Sequence, residues 1–96
     1  MTAQQAILEH RDEILEIAAR HGATNVRVFG SVARGTAGPD SDLDLLVDIS
    51  DDVSPWFPAD LMADLVDLLG VDVDVATEDS LHRVIRERVL EEARPL

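Results

Sequence analysis

Ninety-six residues, 46% of them apolar, are enough for one small domain with a modest core. Cysteine is absent, which excludes disulfides and thiolate metal sites. No stretch reaches the ~20 apolar residues of a membrane span, and the N-terminus is charged and amphipathic rather than a signal peptide, so the expected location is cytoplasmic. The net charge is −12 and all eight basic residues are Arg. That balance argues against direct binding to DNA or RNA, which needs a cationic footprint, and leaves metal-neutralised carboxylates or a basic partner as its use.

The predicted elements follow in chain order. Thr2 and Gln5 stand in capping-box spacing before a first helix, whose apolar face is Ile7, Leu8, Ile14, Leu15, Ile17 and Ala18, with Gly22 closing it. Val26 and Val28 mark a short strand that stops at Gly30. Ser31 to Arg34 begin a brief helix with Ser31 as N-cap, and Gly35 to Ser41 form a loop around Gly38-Pro39. Leu43 to Asp48 is a second strand. Asp51 to Pro58 is a loop holding Trp56-Phe57, two aromatics expected to fill the core, with stacking on a nucleobase or anchoring of a partner helix as the alternative. A helix over 59–69 ends at Gly70. Val71-Asp72-Val73-Asp74-Val75 alternates as a strand with one buried face. Ser80 caps a last helix whose apolar positions are Leu81, Val84, Ile85, Val89 and Leu90. The order α-β-(α)-β-α-β-α predicts an α/β (α+β) fold. It is a single domain over residues 1–96, with a mixed sheet of about three to four strands flanked by helices.

Two features in this frame carry chemistry. Asp42 and Asp44 are two apart on a strand, so both carboxylates project from one face. Like charges so close repel unless a cation separates them. Hard oxygen ligands with open positions suit Mg²⁺, which fills its shell with waters and substrate phosphates. Twelve residues upstream of Asp42, Gly30 permits close backbone approach to a ligand. The N–H groups of Ser31 to Ala33, the Ser31 hydroxyl and the Arg34 charge together suit a triphosphate. A third carboxylate would complete a two-metal site, and Asp72 and Asp74 are the candidates. A calcium loop over 40–51 fails, because Leu45 and Asp51 stand where Gly and Glu are required. His10, His21 and His82 read as structural or surface residues. Arg83 and Arg86 read as a small basic patch or as helix-surface pairs such as Arg83 with Glu87.

Phe29-Gly30-Ser31, followed after a gap by Asp42-Leu43-Asp44-Leu45, resembles the signature of the DNA polymerase beta-type nucleotidyltransferase superfamily. The fuller run Gly30-Ser31-Val32-Ala33-Arg34-Gly35 with Ser41-Asp42-Leu43-Asp44-Leu45-Leu46-Val47 is similar to its minimal prokaryotic members. So are Leu69-Gly70 with Val73-Asp74-Val75, and the ending from Ile85 to Ala93. The resemblance selects Asp74 over Asp72 as the third carboxylate. It implies transfer of a nucleoside monophosphate, AMP from ATP in the first place, to a hydroxyl with two Mg²⁺ ions. Asp42, Asp44 and Asp74 would be the metal-binding and catalytic residues, and Gly30, Ser31 and Arg34 the nucleotide-binding ones. It further implies a hetero-oligomer with a helical toxin of the HEPN (higher-eukaryote-and-prokaryote nucleotide-binding) class, an RNase that the nucleotidyltransferase silences as antitoxin by adenylylating it. Silencing by occlusion, without catalysis, and an aminoglycoside-type activity on a small molecule are the alternatives. Where the family often carries Tyr after the final Glu-Ala, this chain has Arg94-Pro95-Leu96.

Overall fold

A computed structural model describes residues 1–96. Its elements are α1 (Ala3–Arg20), β1 (Ala23–Phe29), α2 (Gly30–Arg34), β2 (Leu43–Ile49), α3 (Ala59–Leu69), β3 (Val73–Ala76), a 3-10 turn (Glu78–Ser80), α4 (Arg83–Glu92) and β4 (Arg94–Pro95). The strands form one mixed four-stranded sheet in the order β3-β2-β1-β4. β1 runs antiparallel to β2 and β4, and β2 runs parallel to β3. A parallel pair needs a crossover between its strands, and α3 is that crossover.

Strand alternation sends Val26, Val28, Leu43, Leu45, Val47, Val73 and Val75 to one face, where all are buried. Ile14 and Ala18 of α1 and the i, i+4 stripe Leu61, Leu65, Leu69 of α3 close over that face to make the core. Each such leucine contributes roughly 1.5–3 kcal/mol on leaving water. With the core on one side, residues of opposite parity, Asp44 and Asp74 among them, lie on the other.

The capping box of Thr2 and Gln5 forms as predicted, and α3 takes the predicted span with left-handed Gly70 as its C-cap. Other expectations are corrected. Non-helical angles at His10 kink α1, but its buried residues Ala3, Ala6, Ile14 and Ala18 keep to one helical face, and Leu8 lies off that face and is 76% exposed. Phe29, not Ser31, stands at the N-cap position of α2, which begins at Gly30. Val71 precedes β3 rather than belonging to it. Ser80 sits inside the 3-10 turn capped by Thr77, and His82 caps α4 through Nδ1, which accepts from the Val84 N–H. Helical periodicity in α4 does not mean burial: Val89 is buried, yet Val84 is 79% exposed. That helix lies against α2 rather than over the core. Phe57 packs on the core as expected, but Trp56 is 77% exposed. The chain ends in a strand that sequence did not predict. Arg94 and Pro95 pair with Val28 and Arg27, the Leu96 N–H donates to the Val26 carbonyl, and the Leu96 side chain packs on the core.

Candidate active site

The register of the sheet brings the predicted carboxylates together. Asp44 is the direct partner of Asp74 across the parallel β2–β3 ladder, and neighbouring strands lie about 4.8 Å apart. Asp42 stands just before β2, two residues from Asp44, and its charge acts on the Asp44 carboxylate. Asp72 stands just before β3, its carbonyl accepting from the Leu43 N–H at 2.9 Å. It therefore lies on the same side but one step farther along, next to Asp42, and the two line a cavity with Ser41 and Gly70.

Gly30 is next to this face because Phe29 pairs with Asp44 across the antiparallel β1–β2 ladder. Its φ is +73°, a left-handed conformation that favours glycine. A Cβ added there would run into the Asp44 carboxylate. Glycine at 30 therefore serves both the turn and the seat of Asp44. The surroundings push the Asp44 pKa up to about 6. Burial is the first cause, followed by the charges of Asp74 and Asp42; Arg34 opposes them, and Glu92 adds to them.

Arg34, in the last turn of α2, is bound by a residue that sequence spacing gave no role. Its Nη1 donates to Glu92 Oε1 at 3.2 Å and Oε2 at 3.3 Å, and the Gly30 N–H donates to Glu92 Oε1 at 2.9 Å. Glu92 comes from the end of α4, 62 positions from Gly30. A contact of that range has no local pattern to announce it, although Glu92 lies in the ending that resembles the family's last helix. Strand β2 occupies the stretch where a calcium loop would lie, and the three histidines serve structure. His10 faces Glu13, His21 faces Asp60 and Asp64, and His82 caps α4. Arg83 and Glu87 do not pair, and Arg86 reaches the Leu81 carbonyl instead.

The donor set fits a divalent metal by its chemistry. All candidates are hard oxygen ligands, and the repulsion among Asp42, Asp44 and Asp74 is of the kind a bound cation relieves. No group of three or more His, Asp or Glu side chains stands in ready ligand geometry. Mg²⁺ does not require one, since it binds through one or two carboxylates and takes its other oxygens from water and phosphates.

A mixed sheet with a glycine turn backed onto an aspartate pair is the frame of a nucleotide-transferring enzyme. Residues 9–96 match the nucleotidyltransferase domain family, and the chain belongs to it. Within that family it is similar to minimal nucleotidyltransferases. A solved structure provisionally described as one of these is 48% identical, with a TM-score of 0.85, covering 100% of this chain and 97% of that one. The protein adenylyltransferase MntA of Thermococcus cleftensis is 37% identical over 89 residues, 93% of this chain and 87% of MntA. A structure of a tri-AMPylated Shewanella oneidensis HEPN toxin in complex with MNT antitoxin shares the fold, with a TM-score of 0.68 at 20% identity over 96% of this chain and 70% of that one. No helix here is long and apolar enough to cross a membrane.

Proposed function

We propose that residues 1–96 form one cytoplasmic domain that transfers AMP from ATP to a hydroxyl on a HEPN-type helical toxin, as its antitoxin in a hetero-oligomer. The observation that carries the reading is the pairing of Asp44 with Asp74 across β2–β3, with Asp42 on the same face and Gly30 against Asp44. The names of MntA and of the toxin–antitoxin complex support the adenylyl group and the class of acceptor.

In this reading Asp42, Asp44 and Asp74 would hold the two Mg²⁺ ions as hard oxygen donors. When bound, the metals lower the pKa of the attacking hydroxyl and neutralise charge on the triphosphate. Gly30, Ser31 and Arg34 hold the β- and γ-phosphates. The acceptor oxygen attacks the α-phosphorus, the bond from that phosphorus to the bridging oxygen breaks, and pyrophosphate leaves with the electron pair. Asp74 takes the hydroxyl proton. Positioning of the α-phosphorus against the acceptor oxygen and relief of charge are the effects such a site is built to supply.

Incubation with ATP, Mg²⁺ and a HEPN-type helical protein, should one be encoded beside this chain, is expected to add one or more AMP masses to that protein. Unchanged intact mass would sink the enzymatic claim. A second reading, occlusion of a basic RNase surface, is favoured by the net charge of −12 and by exposed Trp56. The Asp42→Asn, Asp44→Asn double variant separates the two: full neutralisation of the toxin by that variant would make occlusion sufficient.

A further inference from the structure

Glu92 is 18% exposed at its side chain, and its carboxylate has two partners on α2, the Gly30 N–H and the Arg34 guanidinium. Each contact answers a local need. The N-cap position of α2 is Phe29, which has no side-chain acceptor to give, so the part-buried Gly30 N–H would otherwise be an orphan donor. Arg34 is 44% exposed and has no other ion-pair partner to fix its rotamers. Cavity-lining residues between α2 and α4 include Gly30, Arg34, Arg88 and Glu92. The same carboxylate therefore sets the conformation of the turn and aims the one cation beside the aspartates.

We infer that Glu92 is a positioning residue for the nucleotide: from α4 it caps the Gly30 turn and orients Arg34, so that the phosphate-holding groups are in place before ATP arrives. This rests on the reading of Gly30, Ser31 and Arg34 as the phosphate-holding set. A capping carboxylate that fixes one donor and one cation removes conformational freedom that binding would otherwise have to remove. The rival geometry is a plug, in which Glu92 occupies the phosphates' place and must leave.

The two geometries give opposite results. With Glu92→Ala, the KM for ATP should rise about tenfold while kcat changes less than threefold, as for loss of pre-organised ground-state binding. Glu92→Gln keeps an acceptor for the Gly30 N–H and should stay within about threefold of the parent. Glu91→Ala, one residue away and outside the contact, controls for general damage to α4. Equal or tighter ATP binding by Glu92→Ala overturns the inference. Should that variant not fold, the parent protein decides: the Glu92 side-chain carboxylate should keep its carbon-13 chemical shift when Mg·ATP is added, and a move to the shift of a solvated carboxylate would overturn the inference. If the parent itself binds no ATP, the functional reading fails instead, so the two failures are distinct.

Discussion

Two acidic clusters in this chain behave in opposite ways. At the junction of α1 and α3, Asp60 and Asp64 flank His21, whose Nδ1 lies 3.3 Å from Asp60 Oδ2 and whose Nε2 lies 2.7 Å from Asp64 Oδ2. Burial pushes the Asp60 pKa up, but the Leu61 N–H and His21 outweigh it and hold the group below its usual value. At the end of β2 the balance reverses. Asp44 is raised to about 6 by burial, Asp74 and Asp42, and Arg34 offsets only part of this. Arg34 is itself shared with Glu92. A folded chain has no structural need to seat three carboxylates on one face with so little compensation. The first cluster holds helices together; the second stores unrelieved charge where a cation and a triphosphate are expected.

The largest expected effect breaks the second cluster. Asp44→Asn should lower adenylyl transfer by at least about 10²–10³-fold, the scale of losing a group aimed at transition-state charge. It should also raise the melting temperature in metal-free buffer, because the substitution removes the repulsion. Asp64→Asn should do neither: transfer stays near the parent value and stability falls slightly. Matched thermal melts and transfer assays on both variants check this, and equal activity losses would erase the distinction.

Proton linkage gives the next effect, and the signs differ between the clusters. Asp44 has a folded pKa near 6 against 3.8 unfolded, so the unfolded chain loses its proton first as pH rises. Stability from this group is greatest below about pH 4, declines through pH 6 and is flat above. Asp60, lowered on folding, does the opposite: its contribution is present above 3.8 and is lost as pH falls through the folded pKa. In EDTA, the stability of the parent minus that of Asp44→Asn should therefore fall from pH 4 to pH 6. Added Mg²⁺ should raise the melting temperature of the parent at pH 8 by several degrees, and by little at pH 5, where protonation competes with metal.

Much of this contrast is legible in the sequence. Period-two spacing puts Asp42 with Asp44, and the resemblance singles out Asp74; the sheet register then sets Asp74 beside Asp44. Strand polarity and register depend on contacts between distant residues, so the choice of Asp74 over Asp72 was carried by family likeness and not by alternation. Helix phase misled twice. Leu8 is apolar but lies off the face that Ala3, Ala6, Ile14 and Ala18 bury, and α4 keeps its period with Val84 and Ile85 exposed. Glu92 was invisible for another reason: its partners lie far off in sequence, and a glutamate near a helix end ordinarily meets water. β4 is only two residues long, below any periodic signal.

The smallest expected effect tests the compensated cluster from its centre. His21 closes the C-terminal end of α1 and is 18% exposed at its side chain, against 60% for Asp64 and 25% for Asp60. His21→Ala would leave two carboxylates facing each other without the imidazole between them. The Leu61 N–H would still serve Asp60 at 2.9 Å, which limits the loss to about 1 kcal/mol. For a chain of this size that is a drop of roughly 4–8 °C in melting temperature. Transfer activity and ATP affinity should stay within twofold, because nothing on this junction touches β2, β3 or α2 side chains in the carboxylate face. A loss of ATP binding in His21→Ala at a temperature where the variant is folded would mean that the two clusters are coupled through α3, and the separation between structural and functional acidity would have to be abandoned.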